Sequence, residues 1–494
     1  MKSWLDCLQA APSWQRAGLA ALLGALTVLG FAPYYLTWLP WLSLAVLFVL
    51  WHQAAHPKQV FMLGFAFGLG LYCVGIYWIY ISLHNFGGMP WWFAGFCTGC
   101  LCAFMALFPA LAGYLAKRVG SLLWLAPVFW ALSDWVRSWI FTGFPWLTLG
   151  YSQAPASPLA AYFPVIGVYG VSALTASVAA LLATAMLYHQ HKIHALLSIF
   201  GLFLAGGLLT LVVWSHPVGQ PVTVALLQGN ISQAIKWSPE HAQHTLQQYM
   251  RMVNQTQARL IVLPETALPM LAEQIDSAYL EALKRHATQQ QGDLLVGVVA
   301  SAQGEYFNSA LSLGVSPMQA YSKSHLVPFG EYIPLKSMFG WIYRDWLHMP
   351  LSDLSRGTSK QPLQIAGQKV GVNICYEDVF GEEIALQLPQ AELLVNLSND
   401  AWYGQSFAAD QHMQFSQVRA IETGRMVLRS TNTGATAIID KNGQVLSHVP
   451  HDQTAILEGE AQSYQGMTLY VRWGNWAFLC LSGLGLWWGW LRRR

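Results

Sequence analysis

Hydrophobic positions fall into two textures along this chain of 494 residues. Up to residue 214 they form long unbroken runs, and a helix needs about 17–25 apolar residues to cross a bilayer. Seven such runs are read at 14–32, 37–52, 59–82, 90–115, 120–141, 161–188 and 195–214, with an eighth at 474–491. Between them the pattern changes to short β-rich runs: PVTVALLQ (221–228), ARLIVLPE (258–265), DLLVGVVA (293–300), SALSLGV (309–315), KVGVNICY (369–376) and AELLVNLS (391–398). TAIIDKNGQVL (436–446) reads as a hairpin turning at Asn442-Gly443, the dipeptide that favours two-residue turns. Helical periodicity appears at 239–256, 272–290 and 409–426. Strands alternating with helices predict a layered α/β domain. The fold expected is therefore a multispan α-helical membrane region of about eight transmembrane helices joined to an α/β domain.

Composition sharpens this division. Only 10% of residues are charged and 54% are hydrophobic, against about 25% charged in soluble domains. Residues 1–214 hold nine charged side chains and no Glu. A disordered chain, a nucleic-acid binder and an ordinary soluble enzyme all fit this profile poorly. Lys2, Arg16, Lys58, Lys117, Arg118, Lys192 and the terminal Arg492–Arg494 all fall on one side of the predicted spans, which the positive-inside rule makes cytoplasmic. Three parts are expected: 1–214 in the membrane, 215–470 on the opposite, extracytoplasmic face, and 471–494 as a last span with a basic cytoplasmic tail.

Three positions in 215–470 carry candidate chemistry. Glu265 closes the apolar run LIVLPE, where a buried carboxylate can serve as a base. Lys323 stands eight residues before Glu331 in KSHLVPFGEYIP. Cys375 ends VGVNIC, and of the seven cysteines it alone lies in the more polar part of the chain. A thiol at a strand end is placed for nucleophilic attack when a base and a cation attend it. Each has a plainer explanation: a capping carboxylate, a solvated lysine, a small core hydrophobe. Two further features stand out. Asp134 and Arg137 lie three apart inside an apolar run, where they can pair with each other or mark a transport path. Residues 335–350 (LKSMFGWIYRDWLHMP) gather Phe339, Trp341, Tyr343 and Trp346, either for burial or as a loop that enters the membrane interface.

Taken together, PET (264–266), K-x-H-L-V-P-F-G-E-Y-x-P (323–334) and N-I-C-Y-E-D (373–378) resemble the nitrilase, or carbon–nitrogen hydrolase, superfamily with its Glu–Lys–Cys triad. Joined to the apolar half, with GFPW (143–146), GYSQ (150–153), QGNISQAIKW (228–237), NLSNDAWYG (396–404) and LRSTNTGATAIID (428–440), the chain resembles the superfamily's membrane-embedded acyltransferase branch. The resemblance implies an αββα sandwich domain and a triad of Glu265, Lys323 and Cys375. Glu331 would be a second glutamate tuning the triad, with Tyr376, Glu377 and Trp237 positioning substrate. It implies transfer of an acyl chain from a phospholipid, phosphatidylethanolamine being the expected donor, through a Cys375 thioester. The acceptor would be the α-amino group of a diacylglyceryl-cysteine on a lipoprotein at the bacterial inner membrane. No cofactor or metal, no nucleic acid and no partner subunit is expected, and the aromatics of 335–350 would act as a lid. The alternatives are a membrane-tethered amidase for a small carbon–nitrogen substrate, or a transporter or sensor with a non-catalytic soluble domain.

Overall fold

A computed structural model describes residues 4–334, 336–341 and 353–491. The chain divides into two compact units: residues 1–80, 90–213 and 472–494 form the first, and residues 81–89 and 214–471 the second.

The first unit is helical. Among the described residues four helices are long and apolar enough to cross a membrane: Pro57–Gly75, Trp91–Val119, Ala160–Leu187 and His189–Leu209. The expectation of about eight is thus corrected. Helices do occupy the other four apolar runs, at Ser13–Thr27, Leu39–Gln53, Leu122–Arg137 and Trp476–Leu491. They have only 15 or 16 residues, and at 1.5 Å per residue such a helix rises about 22–24 Å, short of the roughly 30 Å hydrocarbon core. The run 14–32 looks longer in sequence because apolar residues continue past the helix end into a buried turn, as Phe31 and Ala32 do.

Asp134 and Arg137 pair at 3.0 Å with both side chains buried. Arg137 also donates to the carbonyls of Phe144 (2.8 Å) and Trp146 (2.6 Å) and to the Thr148 hydroxyl, while Asp134 accepts from the Leu149 N–H. The pair therefore fastens the irregular GFPW segment and the Thr148–Leu149 stretch that follows it to the helix Leu122–Arg137. This meets the need of buried loop backbone for partners and gives the intramembrane charges a structural use.

Among the described residues of the second unit, twelve strands form two six-stranded sheets. The first contains β1 (Ser215–Gln228), β2 (Leu260–Val262), β3 (Asp293–Ala302), β4 (Glu305–Gly314), β5 (Ala320–Ser322) and β12 (Ala455–Gly466), in the order β12-β1-β2-β3-β4-β5. The second contains β6 (Leu363–Ile365), β7 (Gln368–Ile374), β8 (Leu393–Ser398), β9 (Val427–Thr431), β10 (Ala437–Ile439) and β11 (Val445–His448), in the order β11-β10-β9-β8-β7-β6. The central pairs β1–β2, β2–β3, β7–β8 and β8–β9 are parallel. Parallel strands of this kind require covered faces, and the strands read as near-continuous apolar runs for that reason.

Helices Pro239–Asn254 and Ser277–Gln289 cover the first sheet, burying Tyr249, Val253, Leu283 and Ala287 against Ile261, Leu294 and Val296. Helices Gly381–Ala385 and Ala408–Thr423 cover the second, with Ile384 and Ala420 against Leu394, Val427 and Ala437. Between the sheets the Ser430 hydroxyl donates to the carbonyls of Leu227 and Val262. The layers are thus α, β, β, α. The hairpin turns at Gly443 with φ 79°. The predicted strand 258–265 is shorter than expected, since β2 stops at Val262 and Pro264 has no N–H to extend the ladder.

Candidate active site

Three corners at strand ends bring the chemistry together. The first follows β2. Thr266 takes φ 44°, and the corner lies so close to β3 that a Cβ on Gly297 would sit 2.3 Å from the Pro264 carbonyl. Only glycine permits this approach, which presents Glu265 just beyond the C-terminal end of β2. The second corner follows β5 and carries Lys323. The third follows β7, where Cys375 adopts φ 53°. A non-glycine residue in this region is strained and is held by its surroundings: its carbonyl accepts from Asn396 Nδ2 and faces His412 Nε2, each at 3.2 Å.

Glu265, Lys323 and Cys375 are all buried. Lys323 Nζ lies 3.5 Å from Glu265 Oε1 and 3.0 Å from Glu331 Oε1. Asn308, on β4, donates to both carboxylates from one nitrogen, at 2.7 and 2.9 Å. Glu331 also accepts the Val327 N–H at 2.8 Å. Burial alone would lower the lysine, but the Glu331 and Glu265 charges prevail and hold its ammonium well above the ordinary lysine range. Burial pushes the Cys375 thiol well above its ordinary value; Glu265 and Asp400 add to this and Lys323 opposes it. At rest the sulfur therefore keeps its proton. A nucleophile in this state needs a base at hand when it attacks, and the Glu265 carboxylate acts on it electrostatically.

Glu377 is turned into the protein. Its carboxylate accepts from the Tyr321 hydroxyl, the Ser324 and His325 N–H groups, the Ser324 hydroxyl and the Ile374 N–H, at 2.6–3.1 Å. It fastens the Lys323 corner to the Cys375 corner. Tyr376 is buried, edge-on to Phe380 at 5.2 Å, and His325 stacks on the same Phe380 at 3.7 Å. Trp237 is half exposed, at 50%. Of the aromatic segment, Phe339 and Trp341 fall on the helix Lys336–Trp341; Tyr343 and Trp346 lie outside the described residues.

Sequence reasoning missed several contributors. Asn308 stands in an apolar strand, EYFNSALSLG, and a buried amide there is the signal that could have found it. Behind Cys375, Arg429 pairs with Asp400 at 3.0 Å and Asp378 at 3.4 Å, all fully buried; His412 faces Asp400 at 2.9 Å. Burial would raise the Asp400 carboxyl, but Arg429 and His412 hold it well below the usual range. Among the described residues no cluster of His, Cys, Asp and Glu has the arrangement of a metal site.

Two family models match: apolipoprotein N-acyltransferase N-terminal domain over residues 23–181 and carbon-nitrogen hydrolase over residues 223–465. An apolipoprotein N-acyltransferase of Nitrosomonas europaea is 52% identical over 94% of this chain and 95% of its own. Relatives of the same name from Chromobacterium violaceum (44% identical, 96% and 94%) and Ralstonia nicotianae (43%, 93% and 90%) align over nearly the same extent.

Proposed function

The chain belongs to the apolipoprotein N-acyltransferase family, and from that premise we propose that it transfers an acyl chain from a phospholipid to a lipoprotein amine through a thioester on Cys375. Glu265 takes the proton from Sγ as the sulfur attacks the ester carbonyl of the donor. The resulting oxyanion develops beside Lys323, whose ammonium is already fixed between two carboxylates; a preorganised donor of this kind is typically worth about 2.7–4 kcal/mol. The ester C–O bond breaks, Glu265 returns the proton to the departing lysophospholipid, and the acyl group remains on sulfur. The α-amino group of a diacylglyceryl-cysteine then attacks the thioester carbonyl. The C–N bond forms, the C–S bond breaks, and Glu265 carries a proton from nitrogen to Sγ. Exclusion of water favours this aminolysis over hydrolysis.

The observation that carries the reading is the buried Glu265–Lys323–Glu331 array with Cys375 in a left-handed corner beside it. Phosphatidylethanolamine is the proposed donor and a monomer the proposed working unit. Lys58, Lys117, Arg118 and Lys192 lie at helix ends that the positive-inside rule assigns to the cytoplasm, so residues 215–470 are assigned to the periplasmic face of an inner membrane. Phe339, Trp341, Tyr343 and Trp346 are assigned to admitting acyl chains, on the strength of their aromatic character and their closeness in sequence to the Lys323–Glu331 block. The test is intact-protein mass spectrometry after incubation with phosphatidylethanolamine. An acyl mass on the wild type and none on Cys375→Ala is expected; the same adduct on both would place the nucleophile elsewhere.

A further inference from the structure

Lys236 is a second buried lysine at this site, and the mechanism above does not use it. It is 3% exposed. Its Nζ donates to the Thr266 hydroxyl at 2.6 Å and to the Glu265 carbonyl at 3.2 Å. Among the described residues it makes no ion pair, so both acceptors are uncharged. A lysine taken out of water without a carboxylate partner is costly. Here it sits against the corner that presents the base.

The charges of the site explain what such a cation can do. Glu265 and Glu331 place two carboxylates around one ammonium, that of Lys323, leaving one negative charge over. Negative charge accumulates further on sulfur, and then on the carbonyl oxygen, as the reaction proceeds. A second ammonium cancels the excess. Its two hydrogen bonds also tie down the left-handed Thr266 corner, which sets where the Glu265 side chain begins.

We propose that Lys236 is a positioning residue of the acyl-transfer site: its ammonium fixes the Glu265–Thr266 corner and supplies the second cation that balances the Glu265–Lys323–Glu331 array. This rests on the acyl-transfer reading above. Burial draws the Lys236 ammonium down to about 8, and the two titratable groups acting on it, Glu265 and Cys375, only partly offset this. The cation is therefore present below that pH and lost as the pH rises through it.

The test is the single-turnover rate of Cys375 acylation by phosphatidylethanolamine in the full-length, detergent-solubilised chain, followed by intact mass from pH 6 to 9.5. Wild type, Lys236→Met and Lys236→Arg are compared. Wild type is expected to lose rate on the alkaline side near pH 8. Lys236→Met is expected to be at least about tenfold slower at pH 7 with no alkaline fall, a factor matching about 1.4 kcal/mol, while Lys236→Arg restores rate and removes the fall. Acylation by Lys236→Met within twofold of wild type, or the same alkaline fall in all three, overturns the proposal. Should Lys236→Met fail to fold, Thr266→Val serves. It removes the hydroxyl acceptor, so the alkaline limb is expected to move to lower pH, and an unmoved limb overturns the proposal. If wild type itself takes up no acyl mass, the acyl-transfer reading fails first, which separates the two.

Discussion

Replacing Glu377 with Gln separates two roles for this residue, contact with substrate and fastening of the site. Its Oε1 accepts from Tyr321, the Ser324 N–H and hydroxyl, and the His325 N–H; its Oε2 accepts from the Ile374 N–H at 2.7 Å and from Tyr321. In the variant the amide nitrogen fits best at the Oε2 position, where the Tyr321 hydroxyl can turn and accept. The Ile374 N–H then faces another N–H group. A buried donor left unsatisfied costs about 1–3 kcal/mol, and hydrogen bonds that lose a charged acceptor weaken by about 1 kcal/mol. The sum is about 2–4 kcal/mol. For a unit of about 260 residues this lowers Tm by roughly 4–7 °C. The Cys375 and Lys323 corners come apart in the same variant, so thioester formation slows at saturating donor. Differential scanning fluorimetry in detergent, paired with single-turnover acylation, reads both effects. An unchanged Tm with only a higher KM for donor would refute the fastening role and return Glu377 to substrate contact.

Three other outcomes are expected. Asn308→Asp replaces the amide that bridges Glu265 and Glu331 with a third carboxylate; acylation should fall by roughly 10²-fold, the cost of removing one preorganised donor, as measured by single-turnover intact mass. Arg429→Met leaves Asp378 and Asp400 as buried carboxylates without their guanidinium, and stability should fall by about 3–5 kcal/mol, read as a loss of Tm. The Asp400 carboxyl is held below its ordinary value in the fold, so its contribution is complete above about pH 4 and fades as the pH falls through the lowered native value. Wild-type Tm should therefore drop more steeply than that of Arg429→Met as the pH falls from about 4 to 2, and parallel curves would count against the pairing. Alkylation of Cys375 by iodoacetamide at pH 7.5 should slow by about tenfold or more in Glu265→Gln, because general-base help is typically worth 10²–10⁴-fold; equal rates would mean Glu265 does not serve the thiol.

The sequence made the division between the two units legible because hydropathy changes sharply at residue 214 and a soluble sheet cannot be built from runs of that length. Glu265 and Cys375 stood out as candidates because each ends an apolar run, LIVLPE and VGVNIC, whereas Lys323, in a polar stretch, stood out through the family resemblance. The number of membrane-crossing helices was not legible in the same way. Hydropathy cannot tell an apolar residue in a helix from one such as Phe31 in a buried turn, so the 15-residue helix Ser13–Thr27 reads as a full span. Strand β12 was missed because exposed Glu458 and Glu460 and half-buried Gln462 interrupt it, so no apolar run marks it. Glu377 was assigned to positioning substrate by the family resemblance; only the fold shows five donor groups converging on it. Asn308, Lys236 and Arg429 were missed for one shared reason. Each acts through partners that are tens of positions away, and a single chain carries no record of such pairings.

The central claim is that the acyl group waits on Cys375 for an amine. The most direct test is to acylate the protein with phosphatidylethanolamine carrying a labelled chain, remove all free phospholipid, and then add a diacylglyceryl-cysteine peptide. The account predicts that the label leaves Cys375 and appears in amide linkage on the peptide α-amine, much faster than it is lost to water in the peptide's absence. Label that stays on the protein, or that is hydrolysed at the same rate with and without peptide, would contradict it.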